Sequence, residues 1–310
     1  MWNAKRLHLV TLVAACLIAV VSFTPSPAIA QAKKSSKSGT DKVSKTLNGP
    51  TGWPVNITYF NSTSKDAPVL ILLHDKSGNQ LIWEKSAEIL QSKGFAVVTV
   101  DLRKHGKSIP EGSTETQKPN ANDYKLMVAE DMELVKNFLL SEHHAQKLNI
   151  RKLGIVAIGM SAPVALTFAG NDWLKKPYPD GATMATRTPK GQDVRAIALL
   201  SPQSSVSGLT TSQPLRLLQT PAFNVAMMFV AGNEDKRVKR DTEKMYKMVS
   251  TNKDNKKRMI KVERNDKVNG AMFLSDRFRT KTTDLLAKFF DEHLKALESP
   301  WRNRKSRLTN

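Results

Sequence analysis

Leu153-Gly154-Ile155-Val156-Ala157-Ile158-Gly159-Met160-Ser161-Ala162-Pro163-Val164-Ala165-Leu166 decides how this chain is read. A short apolar run, Ile155 to Ile158, strikes a Gly-x-Ser, and an apolar helical pattern follows at once. The pattern predicts a buried strand that meets a helix through a sharp turn, which would lift the Ser161 hydroxyl above the end of a sheet. Gly159 supplies the small neighbour that such a close approach of strand and helix needs. Pro163 stands where a glycine is usual, and it is tolerated there because the first helical turn has no partner for the N–H that proline lacks.

Outward from this stretch, strands and helices alternate. Val55 to Phe60, Val69 to Leu73, Phe95 to Val100, Val194 to Leu200, Val225 to Val230 and Arg258 to Val262 read as strands, most of them apolar throughout. Leu81 to Ser92, a segment opening near Asn122 or Asp123, Arg240 to Ser250 and a closing segment with Leu285, Leu286, Phe289, Phe290 and Leu294 read as helices. Continuous apolar strands are those covered on both faces. The order therefore predicts an α/β fold, a mainly parallel sheet of about 7–8 strands with helices on both faces and little or no cap domain. Residues 171–193, with three prolines and few apolar residues, read as an irregular insertion.

Before the fold, Lys5 and Arg6 precede an apolar stretch from Leu7 to about Phe23, and Ala28-Ile29-Ala30 is an A-x-A cleavage signature. These features predict a signal peptide over 1–30 and a secreted or periplasmic protein; the alternative, a membrane anchor, is opposed by the short run and by Pro25 and Pro27. Cleavage removes Cys16, the single cysteine, so the mature chain has no disulfide, thiol nucleophile or cysteine metal site. Residues 31–52, rich over 31–49 in Lys, Ser, Thr and Gly, predict a basic disordered linker, 53–298 the folded domain and 299–310 a basic tail.

Four pieces, in order, resemble the α/β-hydrolase superfamily. Leu73-His74-Asp75-Lys76-Ser77-Gly78 is similar to the turn that helps form the oxyanion hole. Asp101-Leu102-Arg103-Lys104-His105-Gly106-Lys107-Ser108 is similar to the family's D-x-R-G-H-G-x-S loop, Gly159-Met160-Ser161-Ala162-Pro163 to its nucleophile turn, and Ala231-Gly232-Asn233-Glu234-Asp235 to its acid loop. The resemblance implies Ser161 as nucleophile, Asp235 as the orienting acid with Glu234 its neighbouring competitor, and the N–H of Ala162 with one from the 75–78 turn as the oxyanion hole. It implies an ester or peptide-type hydrolase, carboxylesterase-like. Asp75, where glycine is usual, would place negative charge beside a developing oxyanion unless it points away.

The resemblance also places the base in Val268-Asn269-Gly270, and Asn269 stands in the histidine's place. An amide cannot take the serine proton near neutral pH, which leaves Ser161 a weak nucleophile. His74, at the end of a strand beside that of Ser161, is the candidate substitute base; His105 reads as a brace, His143 and His144 as surface residues and His293 as a helix-packing residue. No metal-ligand spacing or dinucleotide fingerprint is present, so no cofactor or metal is expected.

Net charge is +20, and thirteen Lys or Arg face five Asp or Glu between Lys236 and Lys267. A chain this basic favours anionic partners, an envelope lipid or a polysaccharide, without any motif for reading nucleic-acid sequence. Three readings follow: a secreted α/β-hydrolase-fold protein whose triad has lost its base; an active serine hydrolase with a substitute base, acting on a small ester or peptide-like ligand; and a polyanion-binding envelope protein.

Overall fold

Every residue of Val69–Leu73 (β3), Ala96–Val100 (β4), Leu153–Ile158 (β5) and Ala226–Ala231 (β7) is buried, as is all but Arg195 of Val194–Leu200 (β6). A strand with no solvent face must sit inside a sheet covered on both sides, and these five do. In this computed structural model, which describes residues 41–113 and 118–308, they pair in parallel. Pro54–Phe60 (β2) joins β4 antiparallel, and Met259–Glu263 (β8) joins β7 in parallel. With Lys42–Asn48 (β1) the sheet has eight strands in the order β1-β2-β4-β3-β5-β6-β7-β8. The register sets Leu73 beside Ala157 and Ile158 beside Leu200, so β3, β5 and β6 end close together.

Alternate residues of each strand feed two cores. On one face Ile71, Val98 and Ile155 meet Met132, Val135 and Leu139 of Met132–His144 (α3), Phe168 of Ser161–Leu174 (α4), Leu215 of Ser212–Leu218 (α5) and Met245 of Lys236–Ser250 (α6). On the other Leu70, Val97 and Val156 meet Leu90 of Glu84–Ser92 (α1) and Leu286 and Phe290 of Asp276–Phe290 (α7). A π-helical turn, Met127–Asp131, leads from Ala121–Leu126 (α2) into α3 and presents Asp131 to Arg103, whose backbone N–H and guanidinium both bond its carboxylate.

The N-terminal edge of the fold departs from the sequence reading. The predicted signal peptide, 1–30, and the first part of the predicted linker lie outside the described residues. The rest of that linker is not disordered: Lys42–Asn48 forms β1, antiparallel to β2, with Lys42 opposite Phe60 and Asn48 opposite Pro54. Its polar side chains pair across the strands, Ser44 with Thr58 at 3.1 Å and Thr46 with Asn56 at 2.9 Å, and Lys42 reaches Glu84 of α1 at 2.6 Å. Such cross-strand pairs stabilise an edge strand without an apolar face.

The basic C-terminal tail is docked. The Trp301 indole N–H donates to the His143 carbonyl at 3.1 Å, and Arg304, buried, binds Asp193, which also holds Lys136 at 2.9 Å. Lys136 in turn binds Asp172, whose other oxygen accepts the N–H of Asp193 at 2.7 Å. This buried network ties α3, α4, β6, the 171–193 insertion and the tail together. His143, expected at the surface, is fully buried, its ring nitrogens against the carbonyls of Leu148 and Arg302, and burial lowers its pKa.

Candidate active site

The turn after β5 places its apex at Gly159. Gly159 has φ +54°, the left-handed conformation of the residue at a strand-to-helix elbow, while Met160 is already helical at φ −65°, ψ −25°. Ser161 is therefore the first residue of α4 and not the apex. It is fully buried: its Oγ donates to the carbonyl of Ile158 at 2.9 Å and accepts the N–H of Ile158 at 3.0 Å. The hydroxyl expected to face substrate closes the turn from inside. Ala162 is likewise displaced, since its N–H donates to the Gly159 carbonyl at 3.3 Å.

In an elbow the first oxyanion donor is the N–H following the apex residue and the second comes from the turn after β3. Here these are Met160 and Lys76, and both donate to Asp75: Met160 N–H to Oδ1 at 3.0 Å, Lys76 N–H to the same oxygen at 2.7 Å. The carboxylate lies on these two N–H groups, not away from them. A Cβ on Gly159 would overlap the Asp75 carboxylate, so this side chain from the turn after β3 fills the volume that an apex side chain would use. The turn is held from behind: the Asp75 carbonyl accepts the N–H of Gly78 at 2.9 Å and the Nδ1–H of His74 at 2.8 Å.

His74 has no freedom to act as a substitute base. It is fully buried, and its Nε2 accepts the N–H of Leu102 at 3.1 Å, which assigns the proton to Nδ1. Burial pushes its pKa down to about 3, the Asp75 carbonyl opposing and the neighbouring His105 adding to the effect. A ring with both nitrogens bonded to backbone is a strut between the loops after β3 and β4. His105 spans the same gap, from the Arg103 carbonyl at 2.8 Å to that of Lys76 at 3.1 Å.

The remaining predicted residues come together only in part. Asn269 is half-buried at the end of the loop after β8, and Gly270 beside it has φ +51°; a Cβ on Gly270 would lie 3.1 Å from Asp75 Oδ2. The loop that carries Asn269 thus approaches the elbow, and Asp75 sits between the two. Asp235 turns elsewhere: its carboxylate caps α6, accepting the N–H groups of Arg237 at 2.8 Å and Val238 at 3.1 Å. Tyr124 closes the α-helical side, its hydroxyl toward Met160 Sδ at 3.6 Å, and burial followed by Asp75 raises its pKa. His293 packs edge-on against Phe289 at 4.9 Å. Among the described residues no group of three or more His, Cys, Asp or Glu is arranged to hold a metal.

Solved structures share this arrangement of sheet and helices. An esterase from Pyrococcus furiosus matches 82% of this chain and 92% of its own with a TM-score of 0.59 at 12% identity. A dienelactone hydrolase from Anabaena variabilis matches 82% and 98% with 0.56 at 14% identity, and a hyperthermophilic esterase from the archaeon Pyrobaculum calidifontis 81% and 83% with 0.52 at 11%. The fold is that of the α/β hydrolases. No protein-family model matches the sequence, and no curated protein is significantly similar to it.

Within the α/β-hydrolase frame, the elbow's small-x-apex-x-small pattern is Ala157-Ile158-Gly159-Met160-Ser161, two residues earlier than the frame that places Ser161 at its centre. Gly159 is the site residue that sequence reasoning missed, whereas Asp75 was expected beside the oxyanion position and its side-chain direction was left open. The length of the strand carried the signal for Gly159, since β5 ends at Ile158 and the next residue takes the turn. The glycine-to-aspartate change in the His-Gly turn carried the signal for Asp75.

Proposed function

We propose that the protein is an exported, non-hydrolytic member of the α/β-hydrolase fold, acting as a binding protein. The observation that carries this reading is the Asp75 carboxylate on the Met160 and Lys76 N–H groups, above an apex that is glycine. An acyl-transfer site needs a nucleophile, a base, and vacant donors for the developing negative charge. Here the apex has no side chain, the base position holds Asn269, and the donors hold a resident anion. Export is inferred from the basic start, apolar run and Ala28-Ile29-Ala30 of the N-terminus.

The test is turnover of p-nitrophenyl acetate together with labelling by a fluorophosphonate. Neither should exceed the buffer background, and Ser161→Ala should change neither. Turnover or labelling that Ser161→Ala abolishes would sink the reading.

A second reading, attachment to a polyanion, is favoured by α6. Lys236, Arg240 and Lys244 are exposed at four-residue spacing and so form one stripe of positive charge along the helix. Retention on immobilised heparin that is insensitive to added salt would count against it.

A further inference from the structure

Beside the filled oxyanion hole lies a cavity of about 320 Å³, beyond the carboxyl ends of β3 and β4. Ligands of open α/β sheets bind at that end of the strands. Three lysines from separate segments line it, Lys76 of the turn after β3, Lys104 of the loop after β4, and Lys118, and among the described residues no carboxylate lines it. Asp75, Asp101 and Asp123, on neighbouring segments, are turned to other work. Asp75 is in the hole, and Asp101 accepts the N–H groups of Gln80 at 2.7 Å and Lys107 at 2.9 Å. Asp123 pairs with Lys104 at 2.8 Å and offsets one of the three charges.

The pocket is built by specific backbone. Lys104 has φ +64°, a conformation a lysine adopts at a cost, and His105 ties this loop to the Lys76 carbonyl at 3.1 Å. Ile109 and Pro119 give the cavity an apolar wall.

We propose that this cavity binds a small organic phosphate, a phosphate monoester with a compact apolar group. Three ammonium groups with one partly offset match a dianion in charge. Lysine acts on phosphate as a point charge, and a phosphate monoester carries close to two negative charges where a carboxylate carries one. The volume lies at the small end of the range for ligand pockets and leaves room for one ring or short chain against Ile109 and Pro119. The inference rests on the binding-protein reading and names its ligand class.

The experiment is calorimetric titration of the full chain with phenyl phosphate, with inorganic phosphate and phenylacetate as comparison arms. Saturable 1:1 binding with Kd below about 1 mM is expected. Inorganic phosphate, which leaves the apolar wall unused, and phenylacetate, which carries one charge, should each bind more weakly. Lys76→Ala with Lys118→Ala, both exposed positions, should weaken phenyl phosphate about tenfold or more, while Lys288→Ala on α7 should leave it unchanged. No saturable binding, an equal loss in Lys288→Ala, tightest binding of phenylacetate, or full retention in the double variant would each overturn the proposal. Release of phenol during the titration would overturn the non-hydrolytic reading and leave the binding assignment standing, so the two failures are told apart.

Discussion

Asp75 holds the backbone N–H of Met160 on its Oδ1 at 3.0 Å, and the residue immediately before Met160 is the glycine at the apex of the elbow. One side chain thus binds the N–H that follows the apex and occupies the space above the apex. These two roles couple Asp75 to Gly159.

The coupling is measurable by a double-mutant cycle. Asp75→Ala removes two charge-assisted hydrogen bonds and should destabilise the fold by about 1–3 kcal/mol in urea unfolding. Gly159→Ala suffers both the left-handed φ and an overlap with the Asp75 carboxylate. With Asp75→Ala in place the overlap is gone and only the φ cost is left, so the double variant should be more stable than additivity predicts, by roughly 0.5–3 kcal/mol. Strict additivity would mean that the carboxylate does not lie over Gly159.

The same pair marks the limit of what the sequence could yield. Runs such as Val69 to Leu73 and Ile155 to Ile158 specify central strands by composition alone, and the parallel order of the sheet follows from their alternation with helices. The elbow is legible as a turn but ambiguous in frame, because Ala157-x-Gly159-x-Ser161 and Gly159-x-Ser161-x-Pro163 both satisfy its demand for small residues. Only the backbone conformation at Gly159 separates them, and side-chain chemistry pulls the reader toward the serine. Asp75 was visible as an unusual residue, but the direction of its side chain depends on Met160 and Lys76, distant from each other in sequence. Lys42–Asn48 was illegible for another reason: an exposed edge strand of Lys, Ser and Thr shows no apolar alternation, and its register comes from β2.

That strand gives a second prediction. A chain beginning at Trp53 loses the seven-residue pairing with β2, the Ser44–Thr58 and Thr46–Asn56 contacts, and the bridge from Lys42 to Glu84. It also bares the edge of β2, whose Ile57 and Tyr59 are buried. The shortened chain should melt several degrees below one beginning at Asp41 and should self-associate at concentrations where the longer chain is monomeric. Equal melting temperatures by calorimetry would show that β1 contributes nothing to the sheet.

Arg304 gives a third. Burial opposes ionisation of Asp193, yet the Lys136 and Arg304 cations outweigh it and hold its pKa below the usual carboxylate range. Arg304→Ala leaves Asp193 buried with Lys136 alone, which Asp172 already shares. The loss should be about 3 kcal/mol, the lower end for breaking a buried pair, since one cation stays. Arg304→Lys should recover only part of it, because a lysine cannot reach Asp193 and the Pro189 carbonyl in the way the guanidinium does. A change under about 0.5 kcal/mol in denaturant unfolding would place the tail outside the cooperative fold.

The fourth concerns acid. His74 is neutral in the fold because burial takes its pKa to about 3, against about 6.5 when exposed in the unfolded chain. Between these values the unfolded state binds a proton that the folded state refuses, so the stability His74 contributes is complete above about pH 6.5 and declines as pH falls toward 3. One such group gives a slope approaching 1.4 kcal/mol per pH unit inside that window. His74→Asn should be less stable than the parent at pH 7.5, having lost the strut between Asp75 and Leu102. The gap should narrow steadily on acidification to pH 4.5, because the variant has no proton to refuse at this position. Carboxylates titrating in the same range are shared by both chains and cancel in the difference. A gap that stays constant between pH 7.5 and 4.5 in urea unfolding would show that position 74 is protonated alike in the folded and unfolded chains.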